Sequence, residues 1–279
     1  MKKKNWIIMI VFLCLLVAAW LGYEKAFYVE TSAVMAPSVS AQGAILTDCE
    51  DGRVIYEKDG ERKLFPASTT KIMTALVALE IMDAIGADMT STVTVPQEAV
   101  GIEGSSLYLK AGEKVTMEEL LYGMMLQSGN DSAVAVAVCT GGTTENFVKL
   151  MNIRAKEIGC RDTNFTNPSG LWEKEHFTTA SDMAKIAGEA MKNPDFRKIV
   201  GASSWSSAES GRSFANKNKT IAQYDGATGI KIGYTKASGR TLVASAKKGD
   251  RELIAVVLDA PDWFEDAYSL LDYGFMKEE

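Results

Sequence analysis

The stretch FPASTTKIMTALVALEIM, residues 65–82, predicts a buried helix with a serine and a lysine at its start. After Lys71 only Thr74 and Glu80 are polar, so the helix is apolar nearly all round and should cross the middle of a domain. Residues three apart share a helix face, so the Lys71 amine can reach the Ser68 hydroxyl. Burial lowers the pKa of such a lysine, and the helix dipole favours the charge that forms when serine loses its proton. The stretch therefore predicts a serine nucleophile with a lysine base.

The Ser-x-x-Lys pattern is weak by itself, because it occurs by chance about once in a chain of average composition and this length. A second copy, Ser245 to Lys248, lies in a strand-like run. Residues three apart on a strand point to opposite faces, so this copy should be inert. Ser68 could also be an ordinary helix cap. Companion motifs must therefore decide whether Ser68 is a nucleophile or a cap.

Length and charge restrict the class of protein. The 279 residues are 47% hydrophobic and carry a net charge of -6, which allows one large domain or two small ones and argues against nucleic-acid binding. The lysines of residues 2–4 precede the uncharged stretch NWIIMIVFLCLLVAAWLGY, residues 5–23. Residues 1–23 are either a signal peptide or a single-span anchor, and we favour an uncleaved anchor because no good cleavage site follows closely. Positively charged residues that flank a membrane segment stay on its cytoplasmic side, so the rest of the chain should lie outside the cytoplasm. It should contact the membrane through this segment.

The four cysteines have neither metal-ligand spacing nor a CxxC pattern. Cys14 lies in the membrane segment, and Cys49, Cys139 and Cys160 should be buried thiols rather than a disulfide framework. We expect neither a metal nor another cofactor.

Patterning along the chain predicts an α/β protein of the α+β type. Residues 24–41 read as a tether and residues 42–279 as the folded domain, which opens with a hairpin that turns at Asp51-Gly52. The pattern is mainly helical over about 83–165, where an all-helical lobe should be inserted, and a further helix should be capped by Ser181. Two or three strands follow Gly226, and a helix over about 262–271 closes the chain. Strands at both ends imply one sheet assembled from distant segments, with a cleft between sheet and lobe.

Two further triplets have chemistry that suits this cleft. Ser128-Gly129-Asn130 lies between helical segments, where a serine could pass a proton to a leaving amine and an asparagine could hold a carbonyl; the same three residues also suit a plain turn. Lys231-Ile232-Gly233 opens a strand, where the lysine could attract a carboxylate and the glycine could let a substrate backbone approach.

In this order, the three triplets resemble the Ser-x-x-Lys, Ser-x-Asn and Lys-Thr-Gly set of the penicillin-recognising serine enzymes. Within that group the chain is similar to the serine D-alanyl-D-alanine carboxypeptidases, the low-molecular-mass penicillin-binding proteins. The resemblance is carried by residues 40–60, 65–80, 126–137, 167–187 and 229–249. It implies a β-lactamase/transpeptidase-like fold, with an antiparallel sheet flanked by helices. It also implies removal of the terminal D-alanine from peptidoglycan stem peptides through an acyl-enzyme, and covalent inhibition by β-lactams.

The resemblance assigns roles by position. Ser68 would be the nucleophile, Lys71 its base and Ser128 a catalytic partner, while the backbone N–H groups of Ser68 and Tyr234 would form the oxyanion hole. The residues that would bind substrate are Asn130, Lys231, Gly233, Tyr234, Thr235 and, by a looser match, Lys217. His176, the only histidine, lies in a family-like loop and should be structural.

The third triplet departs from the family, because Ile232 stands where relatives carry threonine or serine. Loss of a hydroxyl that binds the substrate carboxylate would cost about 1.5–3 kcal/mol. A weakly active or inactive wall-binding protein is therefore the alternative. A β-lactamase is a weaker one, since no glutamate element that could activate water precedes His176.

Overall fold

The computed structural model describes residues 35–277, which form nine strands and eight α-helices. The strands are β1 (Gly43–Asp48), β2 (Val54–Lys58), β3 (Thr92–Thr94), β4 (Lys114–Thr116), β5 (Ser204–Ser206), β6 (Ser213–Ala215), β7 (Ala227–Thr235), β8 (Gly239–Lys248) and β9 (Arg251–Leu258). The helices are α1 (Lys71–Ile85), α2 (Met117–Leu126), α3 (Asn130–Gly141), α4 (Thr144–Ile158), α5 (Ala180–Ala190), α6 (Pro194–Gly201), α7 (Thr220–Gln223) and α8 (Trp263–Met276).

Five strands form one antiparallel sheet in the order β2-β1-β9-β8-β7. The hairpin β1–β2 turns at Gly52, whose φ of 74° suits glycine, as the Asp-Gly pair predicts. β1 pairs with β9, so that Ala44 lies opposite Val257. The two ends of the chain thus build one sheet, which confirms the predicted assembly from distant segments.

The sheet packs apolar residues on both faces. Helix α8 covers one face through Ala267, Leu270 and Leu271. Helices α1 and α5 cover the other, where Val243, Ile254 and Val256 join the large core. Burial on both faces fits the continuous apolar runs of β8 and β9.

Helix α1 is the centre of the molecule, because it contacts α3, α4 and α5 on different sides. Its residues from Lys71 to Leu79 are all buried, as the nearly unbroken apolar stretch predicts. It ends at Gly86, whose left-handed φ of 69° stops the helix. The buried start of this helix is where the candidate nucleophile lies.

The inserted lobe is not all-helical as predicted. The β-branched runs at residues 92–94 and 114–116 form a two-stranded hairpin, β3–β4, before the helices α2, α3 and α4. The predicted cap of the following helix is also wrong. The Thr179 side chain, not that of Ser181, accepts the N–H of Asp182 at 3.0 Å.

The end of the predicted tether belongs to the domain. The carboxylate of Asp266 accepts the backbone N–H groups of Ser40 and Ala41, and the Ser40 hydroxyl donates to it at 2.7 Å. Helix α8 extends to Met276, beyond the predicted end near residue 271. Cys49, Cys139 and Cys160 are free and half-buried rather than fully buried.

The predicted membrane segment, residues 1–23, lies outside the described residues. Over residues 35–277, none of the helices combines the length and the hydropathy that a bilayer crossing needs.

Candidate active site

Ser68 lies in a short 3-10 turn, Ala67–Thr70, that leads into α1. Its side chain caps neither the turn nor the helix, because the two cap positions are Pro66 and Thr70. The interpretation of Ser68 as a helix cap is therefore wrong. Its hydroxyl, half-exposed, lies 3.0 Å from Lys71 Nζ.

The Lys71 amine has three oxygen neighbours. Nζ lies 2.7 Å from Asn130 Oδ1, 2.5 Å from the Ser169 carbonyl and 3.0 Å from Ser68 Oγ. Asn130 Nδ2 donates to the Glu103 carbonyl at 2.7 Å, which fixes Oδ1 as the amide atom that faces the lysine. The Asn130 and Ser169 oxygens can only accept. They take both protons of a neutral amine, and its lone pair then points to the Ser68 hydroxyl.

Burial disfavours the charged form of Lys71. The side chain is fully buried, and this loss of solvent, reinforced by the nearby positive charge of Lys231, holds the pKa of Lys71 well below its ordinary value. Asp131 opposes the shift more weakly. A neutral Lys71 is thus accessible, and it can accept the serine proton.

Ser128-Gly129-Asn130 is a turn and a site wall at once. It joins α2 to α3, with Ser128 held at a φ of 64° and only 7% exposed. The Asn130 N–H donates to the Ser105 carbonyl, which binds the turn to the loop over residues 103–109. The Asp131 carboxylate accepts the N–H of Leu107 at 2.9 Å and fixes the same loop.

Lys231 lies on the edge strand β7 and is 1% exposed. Its burial, with the charge of Lys217 as a second cause, lowers the pKa of Lys231 to about 7. Nζ donates to the Ile232 carbonyl at 3.1 Å, and no carboxylate among residues 35–277 forms an ion pair with it. A buried cation without a partner favours an anionic ligand.

Gly233 brings β7 against the nucleophile. A Cβ at this position would lie 2.8 Å from the Ser68 backbone nitrogen, so no other residue fits without displacing the turn. Thr241, the strand partner of Gly233, donates to the Pro66 carbonyl at 3.0 Å and fixes the same approach. The first and third triplets therefore meet at Ser68.

The other predicted binding residues take up distinct positions. Tyr234 is 64% exposed beside Gly233. Thr235 is half-buried, and its hydroxyl donates to Ser238 Oγ at 2.8 Å while it accepts the Ser238 N–H, so its proton is engaged inside the β7–β8 turn. Lys217 is exposed and donates to the Gln127 carbonyl at 2.9 Å, next to Ser128. Ile232 packs on the opposite sheet face, with the apolar cluster of α8.

The sequence did not reveal a clamp that holds the hairpin β5–β6 against α2. Arg212 binds Glu119 at 2.6 Å and Glu113 at 3.0 Å, and Glu119 is only 2% exposed. Trp205 of the hairpin stacks on Tyr122 of α2, with ring centroids 5.2 Å apart. The clamp brings the segment that carries Lys217 beside the Ser128 turn.

His176 contacts the turn that carries the candidate nucleophile, through Thr70. Its Nδ1 accepts the Thr166 N–H at 3.1 Å, so the neutral ring carries its proton on Nε2 and donates it to Thr70 Oγ1 at 2.8 Å. Burial, together with the charge of Lys71, lowers the pKa of His176 to about 4. The histidine is therefore a neutral structural group that holds the loop over residues 164–178, which supplies the Ser169 carbonyl.

The second Ser-x-x-Lys copy is inert, as the strand argument predicts. Ser245 is fully buried and accepts from the Thr228 hydroxyl, whereas Lys248 is exposed and lies over the rings of Tyr224 and Phe275. The two side chains face opposite sides of β8.

Comparisons with known proteins identify the family. The sequence profile of the D-alanyl-D-alanine carboxypeptidase family matches residues 30–262. The chain is 38% identical over 245 residues to D-alanyl-D-alanine carboxypeptidase DacF of Bacillus subtilis, and the match spans 86% of this chain. It is 31% identical over 279 residues to the D-alanyl-D-alanine carboxypeptidase of Streptomyces sp. strain K15, covering 94% of both proteins.

The fold is also found among solved structures. The D-alanyl-D-alanine carboxypeptidase of Mycobacterium tuberculosis H37Rv superposes with a TM-score of 0.81 at 32% identity, covering 89% of this chain and 96% of the other. This similarity establishes the transpeptidase-like fold. The chain spans 63% of the length of the Bacillus relative.

Proposed function

We propose, since the chain belongs to the D-alanyl-D-alanine carboxypeptidase family, that it is a serine enzyme that removes the terminal D-alanine from peptidoglycan stem peptides. The observation that supports this most strongly is the Lys71 amine, whose two carbonyl partners leave its lone pair for the Ser68 hydroxyl. A positioned base beside a serine is the arrangement that nucleophilic acyl transfer needs.

Acylation would proceed in two proton transfers. Ser68 Oγ attacks the carbonyl carbon of the penultimate D-alanine while Lys71 Nζ takes the hydroxyl proton. The carbonyl oxygen becomes negative and is stabilised by the backbone N–H groups of Ser68 and Tyr234. When the C–N bond breaks, the leaving amine receives a proton through the Ser128 hydroxyl, and D-alanine departs. The remaining peptide is then an ester on Ser68.

Deacylation would reverse the roles, with water as the nucleophile and Lys71 again as the base. The water adds to the ester carbon, the Ser68 oxygen regains a proton, and the shortened peptide leaves. A β-lactam would open its ring by the same attack on Ser68 and remain bound as an ester.

Substrate recognition would rest on charge and backbone approach. The substrate's terminal carboxylate would face the buried Lys231 ammonium, and Asn130 would hold the acyl part of the peptide. Lys217 adds positive charge at the same wall, since it interacts with both Lys71 and Lys231. Gly233 lets the substrate backbone lie along the free edge of β7.

Release of D-alanine tests the proposal. The full chain, incubated with a diacetyl-lysyl-D-alanyl-D-alanine peptide, should release D-alanine, and Ser68→Ala should abolish both this release and covalent labelling by penicillin. Ser245→Ala is the matched control and should retain labelling. Mass spectrometry of the labelled protein locates the adduct. Labelling without D-alanine release would favour the inactive wall-binding protein, and an adduct away from Ser68 would overturn the assignment.

The pH dependence follows from the two buried lysines. The value of kcat/KM should rise as Lys71 loses its proton and fall above about pH 7, where the free enzyme loses the Lys231 charge that binds the carboxylate. The same substitution, made separately at each lysine, distinguishes their roles, because arginine stays charged. Lys71→Arg should lose acylation, whereas Lys231→Arg should remain active and lack the alkaline decline. Normal acylation by Lys71→Arg would show that Lys71 is not the base.

Ile232 should weaken carboxylate binding without removing the catalytic groups. Ile232→Thr should raise kcat/KM on the same peptide by about tenfold, the lower end of the effect of one hydrogen bond to a charge. The gain is small because position 232 faces away from the cleft, and a hydroxyl there reaches the carboxylate only around the edge of β7. Thr235 does not substitute, since its proton is donated to Ser238. An unchanged or lower rate would mean that Lys231 and Lys217 already bind the carboxylate.

We also propose that the catalytic domain acts outside the cytoplasm and is held there by residues 1–23. The support is the lysine-flanked apolar stretch of the sequence. After cell fractionation, the native protein should be found with membranes and should be sensitive to protease added from outside. A soluble exported product that begins after residue 23 would show that the segment is a cleaved signal peptide.

A further inference from the structure

Trp172 is a large apolar residue that stays exposed in the loop over residues 164–178, beside the candidate nucleophile. Its side chain is 54% exposed. It packs edge-to-face against Phe65, with ring centroids 6.1 Å apart, and Phe65 precedes Ser68 by three residues. We call Phe65 and Trp172 the aromatic pair. Within the described part of the chain, neither ring belongs to the two apolar clusters of the core, so core packing does not explain the pair.

The loop holds Trp172 firmly from both sides. Asn167 Oδ1 accepts the Gly170 N–H at 2.8 Å, and Asn167 Nδ2 donates to Glu173 Oε1 at 3.0 Å. Gly170 also brings the loop against the turn that carries Ser68, since a Cβ at this position would overlap the Ala67 carbonyl. An exposed ring that is already fixed loses little conformational freedom when a ligand covers it.

Residues 64–68 cross the sheet from β1 to β7 and so locate the aromatic pair. The first of them lies against β1, 3.0 Å from a Cβ placed at Gly43. The middle is held by Thr241 of β8, which donates to the Pro66 carbonyl at 3.0 Å. The end meets Gly233 of β7. Phe65 therefore lies on this crossing, over the cleft face of the sheet.

The core lies on one side of this crossing, and the end of β7 lies on the other. Lys231 and its strand partner Val243 are on the core side, where both are buried. On the other side β7 ends at Thr235. The aromatic pair stands outside the core and therefore belongs on the Thr235 side.

The proposed binding mode brings the acyl part of the substrate to the same end of β7, and this step rests on the proposed function. The terminal carboxylate would lie at Lys231, and the reacting carbonyl would accept the N–H groups of Ser68 and Tyr234. The peptide then runs antiparallel to β7. The penultimate D-alanine lies opposite Tyr234, and the residue before it lies opposite Thr235.

Strand alternation determines which face the side chain of that residue takes. Ile232 packs with the cluster of α8, and Tyr234 lines a cavity together with Trp263 of α8. Thr235, the next residue along, therefore faces the cleft. Directly opposed residues of a sheet place their side chains on the same face. An L-residue opposite Thr235 thus directs its side chain into the cleft, toward the aromatic pair.

An aromatic wall at this place suits a long side chain with an apolar stem. The methylene groups of a lysine-like residue can pack on the indole ring, whereas the methyl group of alanine is too short to cover it. We propose that Trp172, backed by Phe65, is a specificity-determining residue. It contacts the side chain of the stem-peptide residue that precedes the penultimate D-alanine and favours a long alkyl stem there.

Two peptides that differ only in this side chain test the proposal. The long peptide is Nα,Nε-diacetyl-L-lysyl-D-alanyl-D-alanine, and the short peptide is Nα-acetyl-L-alanyl-D-alanyl-D-alanine. The full chain should prefer the long peptide in kcat/KM for D-alanine release. Trp172→Ala should lower kcat/KM for the long peptide about tenfold, the effect of one to two methylene groups that return to water. It should leave the short peptide nearly unchanged.

Two further variants separate contact from support of the fold. Trp172→Phe keeps an aromatic wall and should retain most of the preference for the long peptide. Ile153→Ala, which removes an exposed apolar side chain from α4, should leave the preference unchanged. An equal loss on both peptides in Trp172→Ala would show that the residue only holds the loop, and an unchanged preference would show that it does not contact the substrate. Either result would overturn the proposal.

Penicillins distinguish this inference from the proposed function. If the wild-type chain is labelled but releases no D-alanine, the carboxypeptidase proposal fails and acylation rates score the inference instead. Benzylpenicillin carries a phenylacetamido group on its acyl side, and 6-aminopenicillanic acid does not. Trp172→Ala should then remove most of the advantage of benzylpenicillin, and an undiminished advantage would refute the inference. A wild-type chain that neither releases D-alanine nor is labelled would refute both proposals.

Discussion

The buried amine of Lys71 is the interaction on which the rest of the structure depends. Three parts of the chain that are distant in sequence supply its neighbours: the turn before α1, the start of α3 and the loop that carries Ser169. An amine in a dry site needs these oxygens, since an unpaired polar group there is costly. The same oxygens also set its orientation. Packing of the core around α1 and placement of the Lys71 amine, the proposed proton acceptor, are therefore one requirement.

The amines of Lys71, Lys231 and Lys217 lie close enough to repel one another when charged, and the fold must hold them together. Burial lowers the pKa of both Lys71 and Lys231, and nearby positive charge adds to the shift, from Lys231 at Lys71 and from Lys217 at Lys231. No described carboxylate pairs with Lys231. The Arg212 clamp and the close approach of Gly233 to Ser68 hold the elements around the cleft in place against this repulsion. A bound anion would relieve this repulsion, which supports the proposal that the substrate's carboxylate binds beside Lys231.

Much of this architecture could be predicted from the sequence, because local patterns determine it. The apolar stretch after Lys71 predicted the buried helix, and the Asp51-Gly52 pair predicted the first hairpin. Groups that act through the backbone could not be predicted in this way. Every residue type has a backbone carbonyl, so the sequence does not single out those of Ser169 and Glu103. Only the folded loops bring them to Lys71 and Asn130. The side-chain face of Ile232 likewise depends on strand twist and on what α8 covers.

The pairing of β1 with β9 has a consequence for biogenesis. Gly43 lies opposite Leu258, so the sheet cannot close until the chain has been synthesised through β9. Contacts this distant in sequence form slowly, because the loop between them must first be ordered. A ribosome-bound chain would therefore hold Ser68 and Lys71 long before Lys231 could join them. Until β9 has been made, such a chain lacks both the closed sheet and the assembled cleft.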